Sequence, residues 1–149
     1  EFMERRYALK TFGAAMAAAI SGTALAGEHD HHHDHGAMGN PYAALIASSG
    51  DCLKTGEACL AHCLVLLGKG DKEMAACAQS VNELLAVCGA LGRLAGQNAK
   101  RTAAFAKVAA EVCADCEKEC RKHEKKHAEC KACADSCAAC LKECKKLSA

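Results

Sequence analysis

The chain of 149 residues carries 19 Lys plus Arg against 18 Asp plus Glu, with one Pro, three Phe, two Tyr and no Trp, so it has room for one small domain on an aliphatic core. That near-neutral balance argues against nucleic acid or an anionic membrane surface as a partner. Thirteen cysteines, all in the last two thirds of the chain, narrow the class to a disulfide scaffold or a metal protein.

Residues 1–26 are expected to be a cloning remnant plus an export signal peptide. Glu1 and Phe2 stand ahead of Met3, which is followed by Arg5-Arg6, an apolar run over 14–20 and the small-x-small cleavage signal Ala24-Leu25-Ala26. The run is too short to span a bilayer, so a removed signal is favoured over a membrane anchor. The stretch RRYALK at 5–10 resembles a twin-arginine signal, which implies delivery of the folded protein to the periplasm. Cleavage after Ala26 removes three basic and two acidic residues, leaving 16 of each sign.

Residues 27–40, GEHDHHHDHGAMGN, are polar with no apolar period and read as a flexible His/Asp-rich arm. Its His29, His31, His32, His33 and His35 are either a solvated spacer or ligands for Cu(II), Zn(II) or Ni(II). A start at Gly27 would also set a free amine, two amides and the His29 imidazole in sequence, the square-planar set Cu(II) prefers.

Residues 41–149 are expected to form the metal-binding domain. Asn40 before Pro41 gives a cap and a first helical position, and helix one should run to about Leu67, where Gly68-Lys69-Gly70 stops it. Asp71 caps helix two, which carries Val81, Leu84, Leu85 and Leu91 and is expected to fade among Gly89, Gly92 and Gly96. Helix three begins near Asn98 and carries Phe105, Val108, Val112, Cys113, Cys116 and Cys120.

From Cys120 to Leu147 there is no Gly or Pro, yet the ten steps from Cys120 to Cys130 turn the side chain about 80° off the cysteine face. An unbroken helix would also far exceed the roughly 10 to 14 residues typical of globular proteins. A tight reversal within 121–129 is therefore predicted. The fold class is all-α, an antiparallel four-helix bundle with cysteines lining the core.

The cysteines keep a helical phase. Cys130, Cys133, Cys137, Cys140 and Cys144 are spaced 3-4-3-4; Cys113, Cys116 and Cys120 are spaced 3-4; Cys59 and Cys63 are four apart with Cys52 one heptad earlier; Cys77 and Cys88 complete the set. This is the period of a core-facing seam, with thiols where Leu would normally sit, while Glu117, Lys118, Lys131, Asp135, Lys142 and Glu143 fall off it as a solvated face. Free Cys can serve as a small buried hydrophobe, and for Cys77 or Cys88 alone that reading has equal weight. For all thirteen it does not, because large aliphatic partners nearly vanish after Cys113 and a core of Ala and thiol buries little apolar surface.

Disulfides are the first rival, and the cysteine count is odd. Helical neighbours three or four apart hold their Cβ atoms about 5–6 Å apart, more than the roughly 3.5–4.5 Å of a disulfide, whereas two metal–sulfur bonds of about 2.3 Å bridge the gap. Zinc asks for four ligands, and thirteen thiolates around three zincs would leave a negative core. Cu(I) accepts two or three thiolates, so nearly one ion per cysteine is held close to charge balance. The C-x3-C-x2-C run at Cys133, Cys137 and Cys140 lacks the barrel that a radical-enzyme cluster needs, and a metallothionein-like coil would show no helical period.

A cysteine-filled four-helix bundle with C-x3-C pairs behind an apparent twin-arginine signal resembles the exported copper storage proteins, over about residues 42–147. The resemblance implies bulk Cu(I) storage along the bundle axis by all thirteen cysteines, a homotetramer, and supply of copper to a copper-requiring enzyme or chaperone. It also implies His and Met at the bundle mouth. The turn at 68–70 and the reversal near 123–127 share one pole, gathering His62, Met74, His123 and His127; His62 and Met74 are the candidate ligands there, while Leu66 and Lys69 supply none. No Ser-His-Asp set, paired-carboxylate cleft or phosphate loop occurs, so no enzyme is expected. The competing readings are a disulfide-stabilised structural or interaction protein and a zinc or mixed-metal buffer.

Overall fold

Short turns divide the apolar stretches into helices that can only fold back on one another. The computed structural model describes residues 39–147; the signal at 1–26 and the arm as far as residue 38 lie outside them. Within the described residues the helices are α1 (Ala43–Gly68), α2 (Ala75–Gly96), α3 (Thr102–Arg121) and α4 (Ala128–Lys146), with a 3-10 turn at Lys72–Met74 before α2. Each helix packs on the next and α4 closes against α1, the arrangement of an up-down bundle.

The helix ends follow the predicted signals with local shifts. Pro41 does not open α1: Asn40 Oδ1 accepts from the Tyr42 N–H at 2.8 Å, making a turn that delays the helix to Ala43. The Asn40 amide also donates to Ala95 O at 3.0 Å, tying the start of α1 to the end of α2. Asp71 does cap, with its carboxylate accepting from the Glu73 N–H at 3.2 Å, but the turn it caps is the 3-10 segment. Gly70 sits at φ +92, a conformation that costs glycine little and other residues more, and the α2–α3 turn passes through Asn98 at φ +49.

Of the three glycines among which α2 was expected to fade, it ends at the last, Gly96, and runs unbroken through Gly89 and Gly92. The reason is close approach between α1 and α2. A Cβ on Gly92 would stand 3.0 Å from Ser49 Oγ, and one on Gly56 would stand 2.9 Å from Leu85 Cδ2. Packing thus offsets the helical cost of these glycines, roughly 1 kcal/mol each.

The predicted reversal lies between Arg121 and Ala128, and side chains hold it in place of Gly or Pro. Arg121 donates to Glu124 at 2.8 Å, to Asp135 on α4 at 2.7 Å and to Glu117 at 3.3 Å.

The core is uneven. Val81, Leu84 and Leu91 of α2 are fully buried, whereas the buried residues of α4 are five cysteines with Ala134 and Ser136. By length and composition the segment Lys72–Gly96 could cross a membrane; here its apolar side, with Val81, Leu84 and Leu91, faces the bundle interior.

Candidate metal centre

Because each helix keeps its cysteines in one phase, the four stripes meet on the bundle axis. All thirteen cysteines are fully buried and all are free thiols. Twelve of them fall into groups whose sulfurs lie within 4.8 Å of one another: Cys52, Cys88, Cys113 and Cys140; Cys59, Cys63, Cys77 and Cys130; Cys59, Cys120 and Cys133; and Cys116, Cys133 and Cys137. The thirteenth, Cys144, hydrogen-bonds Cys140 one turn away. Cys77 and Cys88, for which simple packing carried equal weight, both sit inside four-sulfur groups.

Two features escape sequence reasoning. Cys59 and Cys133 each belong to two groups, so three of the four groups merge, and Cys52 of the fourth hydrogen-bonds Cys137 of that run; spacing within one helix carries no signal of this sharing. The second is a polar rung between α1 and α4. Thr55 Oγ1 and Ser136 Oγ are 2.6 Å apart, Ser136 Oγ donates to Cys133 O at 2.9 Å, and the Cys52 thiol donates to Ser136 O at 3.3 Å. Ser136 on the cysteine side of α4 was the only trace of it in the sequence.

Sulfur–sulfur contacts run both across helices, Cys59 to Cys130 at 3.8 Å and Cys77 to Cys120 at 3.7 Å, and along α3, Cys116 to Cys120 at 4.0 Å. Their acidities follow from the contacts. Hydrogen bonds from Cys113 and then Cys137 pull the Cys52 thiol down to about 5, against Cys140 and burial. Burial, then the charge of Cys59, pushes Cys63 up, and burial does the same to Cys130. Burial thus makes ionising a dry thiol column costly unless a cation enters as protons leave.

The mouth forms as the topology requires. His62 Nε2 meets His127 Nδ1 at 2.9 Å, and His62 Nδ1 lies 3.7 Å from the Glu129 carboxylate. Met74, almost fully buried, lines a pocket of about 470 Å³ with Asp71, Glu73, Glu119, His123 and His127, and His123 Nε2 is buried there without a protein partner. His62, Met74, His123 and His127 therefore share the pole, with Cys63 next to His62 and Cys77 one turn on from Met74.

The profile of the copper storage protein family, Csp, matches residues 38–149. This chain belongs to the copper storage protein family. The fold agrees with solved members. Apo copper storage protein 3 from Bacillus subtilis is 25% identical with a TM-score of 0.64, over 72% of this chain and 99% of that chain. The Streptomyces lividans copper storage protein Ccsp loaded with 10 copper equivalents is 26% identical with a TM-score of 0.65, over 74% and 87%. A five-copper structure of a cytosolic copper storage protein from Streptomyces lividans is 28% identical with a TM-score of 0.65, over 70% and 89%. A search of curated proteins returned no match. As a family member the chain is not an enzyme, and its cargo is several Cu(I) ions held by the core cysteine clusters.

Proposed function

We propose that all thirteen cysteines are ligands of this store, that copper passes the mouth at His62 and Met74, and that the protein works outside the cytoplasm as a homotetramer. The burial of thirteen free thiols on one axis, twelve of them in groups of three or four, carries the ligand assignment. Each Cu(I) that binds replaces thiol protons, so its positive charge balances the thiolates it creates and the column fills without a growing charge. Members are copper stores whose solved forms hold five or ten coppers; a column of thirteen thiols supports a capacity of that order here. His62 and Met74 support admission of Cu(I) because both offer soft or intermediate donors at the end of the column.

Export rests on the arginine pair and apolar run within 3–26, since one relative is described as cytosolic. The homotetramer is supported by apolar surface: Leu64 and Val65 are each 56% exposed on α1, and Val108 is 49% exposed on α3, a pattern that association would cover. A copper-requiring enzyme or chaperone would receive the metal. Anaerobic Cu(I) titration against a chromophoric chelator, repeated with His62→Ala and Met74→Ala for the rate of uptake, with sedimentation of the same sample and fractionation of cells expressing the full chain, tests the four parts. Single-site binding, a monomer at micromolar concentration, or retention in the cytoplasm overturns the corresponding part.

A further inference from the structure

The sulfur groups are not alike in how the helices build them. In the group Cys116, Cys133 and Cys137 two ligands come from α4, and in the group Cys59, Cys63, Cys77 and Cys130 two come from α1. Two sulfurs on one helix are held at the spacing of its turns. Cys52, Cys88, Cys113 and Cys140 instead come one from each of α1, α2, α3 and α4, all fully buried and mutually within 4.8 Å. Four donors converging from four directions is what a tetrahedral ion asks for. With metal–sulfur bonds of about 2.3 Å, a tetrahedron sets its sulfurs about 3.8 Å apart, so closure needs side-chain shifts of an ångström or less.

We propose that Cys52, Cys88, Cys113 and Cys140 form a tetrathiolate site for one Zn(II), a clasp across all four helices that holds the empty store together until copper displaces it. The same thiols serve copper later, but the zinc site does not depend on the copper reading. Binding sends to solvent whatever protons the four thiols still carry and leaves a group of net charge minus two. One such ion is tolerable where a core full of zinc is not, because neighbouring sulfurs outside the group can share its charge: Cys137 hydrogen-bonds Cys52, and Cys144 hydrogen-bonds Cys140. The clasp also answers the thin apolar packing of α3 and α4, since one ion joins both to α1 and α2. Cu(I), the softer ion, takes the same sulfurs and returns Zn(II) to solution.

Cobalt(II) serves as the visible probe for this site. Anaerobic addition of Co(II) to the copper-free protein should give, at one ion per chain, the strong visible bands and sulfur charge transfer of tetrahedral tetrathiolate cobalt. Zn(II) should bleach them, and Cu(I) should release the bound Zn(II) to a colorimetric chelator. Cys113→Ser should abolish the four-sulfur spectrum, whereas Cys116→Ser, in another group, should keep it; zinc should raise the melting midpoint of the wild type by about 10 °C or more. No four-sulfur bands in the wild type, bands that survive Cys113→Ser, or bands lost equally in Cys116→Ser would each overturn the proposal. Cu(I) capacity measured on the same wild-type sample reports separately on storage, so failure of the zinc site and failure of the copper store give different results.

Discussion

Replacing Cys133 by Ser strikes the column where it is joined. Cys133 contributes a sulfur to the group with Cys59 and Cys120 and to the group with Cys116 and Cys137, whereas Cys144 lies beside Cys140 and completes none of these groups. Serine nearly matches cysteine in shape, so α4 should keep its register, and the Ser136 hydroxyl still finds the backbone carbonyl of residue 133. The new hydroxyl is a hard donor that Cu(I) passes over. Each of the two groups drops from three soft ligands to two, which still bind Cu(I) but more weakly, so against a strong competing chelator Cys133→Ser should lose about two ions of capacity and Cys144→Ser at most about one. Anaerobic titration against a Cu(I) chelator reads the capacity, and circular dichroism verifies that both variants keep wild-type helicity. Equal losses in the two variants, or full capacity in Cys133→Ser, would refute a column joined through shared sulfurs.

Saturating Cu(I) should stabilise the fold, since a free concentration of about a thousand times Kd adds about 4 kcal/mol per site; an unmoved thermal transition at full loading would contradict a core location. Leu84→Ala, at a fully buried α2 position, should cost about 2–5 kcal/mol in copper-free protein by denaturant unfolding, and a loss under about 1 kcal/mol would mean α2 is not the aliphatic anchor. Arg121→Ala should cost no more than about 1 kcal/mol despite three carboxylate partners, because the pairs are solvent-screened; a larger loss in the same assay would make the clamp essential to the reversal. Copper-free protein should lose stability as pH rises above the ordinary thiol range of about 8.5. Burial raises the Cys63 and Cys130 thiols in the fold, so their contribution is complete below the unfolded value and disappears as the unfolded chain ionises. A melting temperature that climbs between pH 8 and 10 would reverse that sign.

Much of this was written in the phase of the cysteines. The 3-4 spacing places Cys130 through Cys144 on one side of α4, and the phase break after Cys120 locates a reversal that no Gly or Pro marks. Helix ends were less legible because they depend on partners distant in sequence. Asn40 is held by Ala95 at the end of α2 while its side chain forms the turn that delays α1, and Gly89 and Gly92 stay helical where Leu53 and Ser49 of α1 lie against them. The grouping of the sulfurs was not legible at all. Which cysteines meet depends on the relative heights of four helices, fixed by turns such as Lys72–Met74, and a single helix carries no record of them. The pole was legible from topology: reversing the chain at 68–70 and again after Arg121 brings His62 to His127 whatever the packing details.

The central claim, that the thiol column is a Cu(I) store, is tested most directly by the number of Cu(I) ions the copper-free chain withdraws from a chromophoric chelator under anaerobic conditions, before and after its thiols are alkylated in denaturant. A thiol store should take up many ions per chain, approaching one per cysteine, and none after alkylation. Uptake of one or two ions, or a capacity that survives alkylation, would contradict it.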